Sequence, residues 1–129
     1  MTGTTYQAGK NAILEAFSVR GYKTWHAREG VGAETVLSAN QPKRKKLGWG
    51  VDDGDGGVVR LLATGDNWRF VKAFVDDLPP YSFGDMWVEK YQEIFNGPEK
   101  SELKSWTVNE FAEVMLEQAE EQILKKRVS

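Results

Sequence analysis

The chain has no cysteine, a single histidine (His26) and only four prolines in its 129 residues. Without thiols, a disulfide framework and a zinc site built from Cys and His are both excluded. No apolar run approaches the roughly 20 residues that a membrane-spanning helix requires, so no membrane association is expected. The opening "MTGTTYQAGKNA" lacks the charged-then-apolar order of a secretory leader, which makes the cytoplasm the expected location. Internal repeats and low-complexity tracts are missing as well.

What is present fits one globular domain over residues 1–129, with 40% hydrophobic and 12% aromatic content. The formal charge is only -2, but it is unevenly spread. Residues 1–50 carry eight Lys/Arg against three Asp/Glu, net +5, and residues 51–129 carry nine against 16, net -7. Within 73–124 the balance is three against 12. Such asymmetry bears on partners more than the sum does.

Thr4 and Gln7 have capping-box spacing, and a helix is expected to follow, with Ile13, Ala16, Phe17 and Arg20 at helical intervals and Gly21 as its left-handed terminator. From Gly21 to about Thr64 the pattern changes to short β-rich runs separated by turn residues. "YKTWHARE", "ETVLSA", "KKLGWGV" and "VVRLLAT" read as four strands of an antiparallel meander. In the third, Leu47, Trp49 and Val51 alternate with Lys46, Gly48 and Gly50, the period of a half-buried strand.

In "GDNWRFVKAFVDDLPP", Trp68, Val71, Phe74, Val75 and Leu78 form a helical stripe, Asp66 is placed to cap it, and Pro79 and Pro80 stop it. A strand over 67–78 would leave both faces mixed. A further helix is expected from the Ser82/Asp85 capping pair and the stripe Phe83, Met86, Trp87, Tyr91, Ile94 and Phe95, ending at Asn96-Gly97-Pro98. "PEKSELK" offers one more helical turn. Thr107 and Glu110 then form a capping box, with Trp106 and Phe111 at staple positions, for a long helix from Val108 to about Lys126. The class is therefore α+β: an N-terminal helix, a four-stranded antiparallel meander sheet, then three C-terminal helices packed on one face.

The chemical motifs are incomplete. "GTTYQAGKN" has one residue too many between its glycines for a phosphate loop, and Asn11 stands where Ser or Thr is needed. "VDDGDGG" opens like a calcium loop, but Gly57 and Thr64 stand where side-chain ligands belong. The one Glu-x-Lys triplet, Glu102-Leu103-Lys104, falls in the expected helical region, away from any strand that could present a metal. His26 has no Ser or Cys nucleophile near it in the pattern. No catalytic residues, metal or cofactor are expected.

Charge remains as the functional signal. Asp76, Asp77, Asp85, Glu89, Glu93, Glu113, Glu117, Glu120 and Glu121 make the helical region acidic, a surface suited to a protein partner with a basic groove. The expected function is thus a non-catalytic interaction protein. Its extreme form is an inhibitor of host nucleic-acid machinery that mimics nucleic acid, of the kind phages and mobile elements encode. The alternative is a nucleic-acid-binding module that grips phosphates through the hairpin cations Lys43, Arg44, Lys45 and Lys46, with Trp49 beside them.

Overall fold

The structure, a computed structural model, describes residues 5–91 and 102–128. Its elements run α1 (Thr5–Ala16), β1 (Phe17–His26), β2 (Val31–Ala39), β3 (Lys45–Asp52), β4 (Arg60–Leu62), α2 (Gly65–Asp76), β5 (Tyr81–Ser82), α3 (Phe83–Tyr91), β6 (Leu103–Lys104) and α4 (Val108–Val128). Strands β1 to β4 form an antiparallel meander in the order β1-β2-β3-β4. The class is α+β as the pattern predicts, with helices packed on the sheet. Helix α4 lies across all four strands, α1 packs against α3, β5, α4 and β1, and β5 and β6 pair as a separate two-stranded ribbon.

The capping box at α4 forms as its spacing requires. The Thr107 amide donates to Glu110 Oε1 at 3.0 Å, and the Glu110 amide donates to Thr107 Oγ1 at 3.1 Å. Two otherwise unsatisfied helix-start donors are thereby paired, worth about 1 kcal/mol. Lys125, Lys126 and Arg127 occupy the last turn, where the macrodipole favours cations. Trp106, just before the cap, stacks on Tyr6 of α1 (5.0 Å, 12°) and tilts against Tyr81 (5.1 Å, 59°). Phe111 meets Phe17 edge-on at 4.8 Å, and Phe17 in turn meets Phe74 at 4.9 Å. These rings join Ile13, Leu37, Val71, Val75 and Met115 in one core between sheet and helices.

Several boundaries depart from the sequence pattern. The first helix ends at Ala16, and Phe17–His26 is strand, so Arg20 and Gly21 are not helical. Phe17 is the next core residue after Ile13 under either conformation, which is why helical spacing runs through it. Gly21 does adopt positive φ (68°), but it does so in a β-bulge between Arg20 and Lys23. Residue 64, not Asp66, holds the N-cap position of α2, without a side-chain bond, and Asp66 instead pairs with Arg69 at 2.6 Å. Leu103 and Lys104 extend as β6 rather than coiling, because the β5 edge offers them partners. The Ser82 cap is present, its Oγ accepting from the Asp85 amide at 3.3 Å. The Thr4 cap and the Asn96-Gly97-Pro98 stop lie outside the described residues.

The bulges decide which side chains face the helices. Phe17 and Val19, paired with Ala39 and Leu37, point into the core, and Ala33 shares their face two pairs further along β2. Past the bulge, Tyr22 joins that inner face while Lys23 and Trp25 take the outer one. A second irregularity, between Leu37 and Ser38, lets Leu47 turn inward while Trp49 and Val51 face outward with Val36 and Glu34. Gly50 fills the inner position opposite Thr35, and a Cβ there would lie 3.5 Å from the Ala112 carbonyl. That is ordinary van der Waals distance, so α4 lies about one methyl group above the sheet at this point.

Candidate binding surfaces

Two grooves of opposite character emerge. Along one side of α4, Glu113, Glu117 and Glu120 recur at helical intervals and face β1 to β3 across a groove of about 490 Å³. Tyr22, Val31, Ala33, Asp52, Val59 and Leu116 complete its lining, which contains no Lys or Arg. Asp52 reaches it because β3 alternation turns that side chain inward, and Asp52 Oδ1 also accepts from the Gly54 amide at 2.9 Å. The Tyr22 hydroxyl donates to Glu120 Oε2 at 3.4 Å; burial, then the Glu120 charge, raise its pKa. A neighbouring depression shares Asp52, Val59 and Glu113 and adds Glu110 and exposed Val58. The combined field reaches inward: burial first, then Glu117, Glu113, Glu110 and Glu89, push the Tyr6 hydroxyl far above its ordinary pKa.

The remaining acidic candidates stand apart from this groove. Asp76 is bridged by Lys72 at 2.6 Å, one turn earlier on α2, and Asp77 is exposed just beyond that helix. Asp85 accepts from Thr5 Oγ1 at 3.2 Å, and Glu89 lies 3.5 Å from Lys10, both in the seam between α3 and α1. Glu121 is exposed on α4 outside the groove lining, and Glu93 lies outside the described residues. Of the sequence-derived set, only Glu113, Glu117 and Glu120 converge. Asp52, which completes them, belongs in the sequence to the incomplete calcium-loop stretch "VDDGDGG", and only strand alternation through an irregular hairpin turns it toward α4.

The second groove lies at the β3–β4 edge. Lys43, Arg44, Lys45 and Lys46 are all exposed on the β2–β3 hairpin, and none forms an ion pair among the described residues. Arg44 donates to Ser18 Oγ at 3.4 Å. Lys46 Nζ sits 4.2 Å from the centroid of Trp49, a cation–π contact, and Trp49 is 36% exposed. Trp49 shares a cleft with Leu62 and Trp68, the latter 38% exposed at the start of α2.

The aspartate-rich turn serves the fold: Asp53 pairs with Arg60 at 3.2 Å. Among the described residues, no group of three or more His, Cys, Asp or Glu is placed to hold a metal ion. None of their helices is long and apolar enough to cross a membrane. No protein-family model matches the chain, and neither does any curated protein or solved structure in the comparisons made.

Proposed function

We propose that this protein is a non-catalytic interaction module whose acidic groove receives basic side chains of a partner protein. The observation that carries the reading is the convergence of Asp52, Glu113, Glu117 and Glu120 around one groove whose lining holds no cation and whose walls include exposed Val31. Carboxylates there steer a cationic partner and select against anionic ones, while exposed Val31 and half-buried Val59 offer apolar area in the groove. The limiting form of this reading is an inhibitor that occupies a groove its partner reserves for nucleic acid.

The test is affinity capture from the native host with wild type and a Glu113→Gln/Glu117→Gln/Glu120→Gln variant side by side. A basic protein retained by wild type and lost from the variant supports the proposal. A captured set indifferent to the three substitutions, with the variant shown to be folded, overturns it. A second reading, nucleic-acid contact through the hairpin, is favoured by the absence of ion pairs at Lys43, Arg44, Lys45 and Lys46 among the described residues and by the Lys46–Trp49 contact.

A further inference from the structure

Helix α4 covers the inner face of the sheet, and no described helix covers the other. The pairing register defines what that open face presents. One cross-strand row reads Arg20, Val36, Trp49 and Leu62, and the next reads Lys23, Glu34, Val51 and Arg60, with Val51, like Ser38 in the end row, buried beneath its neighbours. Ser18, Ser38 and Lys46 form a row at one end, and Trp25 lies over Gly32 at the other, where a Cβ would overlap its indole. Arg20, Lys23, Lys46 and Arg60 thus stand against two carboxylates, Glu34 and the Asp53 that pairs with Arg60, and Arg44 joins the rim through Ser18. Arg20, Lys23 and Lys46 are exposed and form no ion pair among the described residues, whereas Arg60 is held by Asp53. Trp25 and Trp49 are 37% and 36% exposed, each with aromatic surface directed away from the core.

We infer that this open sheet face is a platform for single-stranded nucleic acid, with bases stacked on Trp25 and Trp49 and phosphates held by Arg20, Lys23, Arg44 and Lys46. The inference extends the hairpin reading to a whole face and is independent of the acidic groove. Three features select this occupant. The face is cationic, so it complements a polyanion and repels a second copy of itself. Its two indoles are separated by two strand spacings and four residues of β2, about 16 Å, which matches a strand that stacks bases at intervals. The Lys46 ammonium lies over one face of the Trp49 ring, so a base that stacks on that face displaces the ammonium toward the adjoining phosphate. An acidic peptide without aromatic side chains would use the cations but has no rings to stack on both indoles.

The test uses the full chain and fluorescence anisotropy with labelled DNA and RNA single strands of about 12 nucleotides, a length within the range one such domain covers. A duplex of the same sequence and a poly-glutamate peptide serve as competitors. Single strands should bind with a log–log salt slope of about -2.8, four phosphates at 0.7 each. Trp25→Ala and Trp49→Ala should each weaken binding by about 5- to 150-fold, the range found for losing one stacked base. Arg20→Gln/Lys23→Gln, at exposed positions without ion pairs, should reduce the slope by about 1.4 and leave the melting temperature unchanged. That double variant keeps the test intact even if a tryptophan variant unfolds.

Equal response of DNA and RNA would place recognition on base and phosphate, and a preference for one would add the sugar. Both outcomes support the platform. Loss of binding on Lys43→Gln/Lys45→Gln, with indifference to Arg20→Gln/Lys23→Gln and Trp25→Ala, overturns the platform and leaves the hairpin reading standing. Preferential binding of the duplex does the same. Tighter binding of poly-glutamate, or no binding of any single strand, overturns the platform outright.

Discussion

Replacing Gly9 with alanine sets two effects of opposite sign against each other. Gly9 lies inside α1 and is buried. On helix propensity alone, alanine would stabilise the chain by about 1 kcal/mol. A Cβ at this position, however, would overlap Nε1, Cε2 and Cζ2 of the Trp106 indole. That ring is 4% exposed and held between Tyr6 and Tyr81, so it cannot yield without moving two other aromatic rings. Overpacking of this kind costs about 1–3 kcal/mol, and an overlap with three ring atoms belongs at the upper end. The net effect should be destabilisation by about 2 kcal/mol, a drop of roughly 6–10 °C in Tm for a chain of this size. Urea unfolding should show a lower midpoint with an unchanged slope. In a Trp106→Ala background the obstacle is gone, and the same Gly9→Ala change should stabilise by about 1 kcal/mol, giving a coupling energy of about 3 kcal/mol. A Gly9→Ala variant more stable than wild type would refute the claim that Trp106 dictates this glycine.

Two further outcomes follow from named groups. The Tyr81 hydroxyl donates to Glu110, and burial, then that bond and the Glu110 charge, raise its pKa; Tyr6 is raised by burial and the surrounding carboxylates. A tyrosine whose folded pKa exceeds its unfolded value of about 10 contributes stability that is complete below pH 10 and declines as pH rises beyond it. Unfolding free energy should therefore fall above about pH 10, by up to about 1.4 kcal/mol per pH unit for each of the two, and Tyr81→Phe should remove one such increment. Denaturation curves at about pH 9 and 11 measure this, and identical slopes in the two proteins would contradict it. Separately, Gly21→Ala should lower stability by about 1–2 kcal/mol through its positive φ alone, since the nearest side-chain atom, Val36 Cγ2, is 3.6 Å from the new Cβ. Thermal melts showing no loss would argue against the bulge conformation.

Much of the fold was legible in the sequence because local signals agreed with the final packing. The Thr107/Glu110 box, the stripe Val71, Phe74, Val75 and Leu78, and the turn residues between the four strands all describe what forms. The α1–β1 junction was not legible, because Phe17 satisfies the core at helical and extended spacing alike, and positive φ at Gly21 suits a helix end and a bulge equally. The β6 pairing depends on an edge supplied by Tyr81 and Ser82, more than 20 residues earlier, which no local pattern reveals. Charge segregation was visible as two halves of the chain. Its arrangement in space was not: the acidic groove needs Asp52 from β3 opposite α4, and the cationic face needs β1 and β3 brought into register by two irregularities.

The bulge at Gly21 has a consequence for how this chain tolerates changes in length. Because side chains alternate along a strand, removing one residue there would invert the last stretch of β1, turning Lys23 and Trp25 toward the helices and sending Thr24 and His26 outward. A single in-frame codon deletion at this spot would therefore dismantle the cationic, tryptophan-bearing face while altering almost nothing in amino-acid composition. Chain length here, more than residue identity, determines what the protein shows to its surroundings.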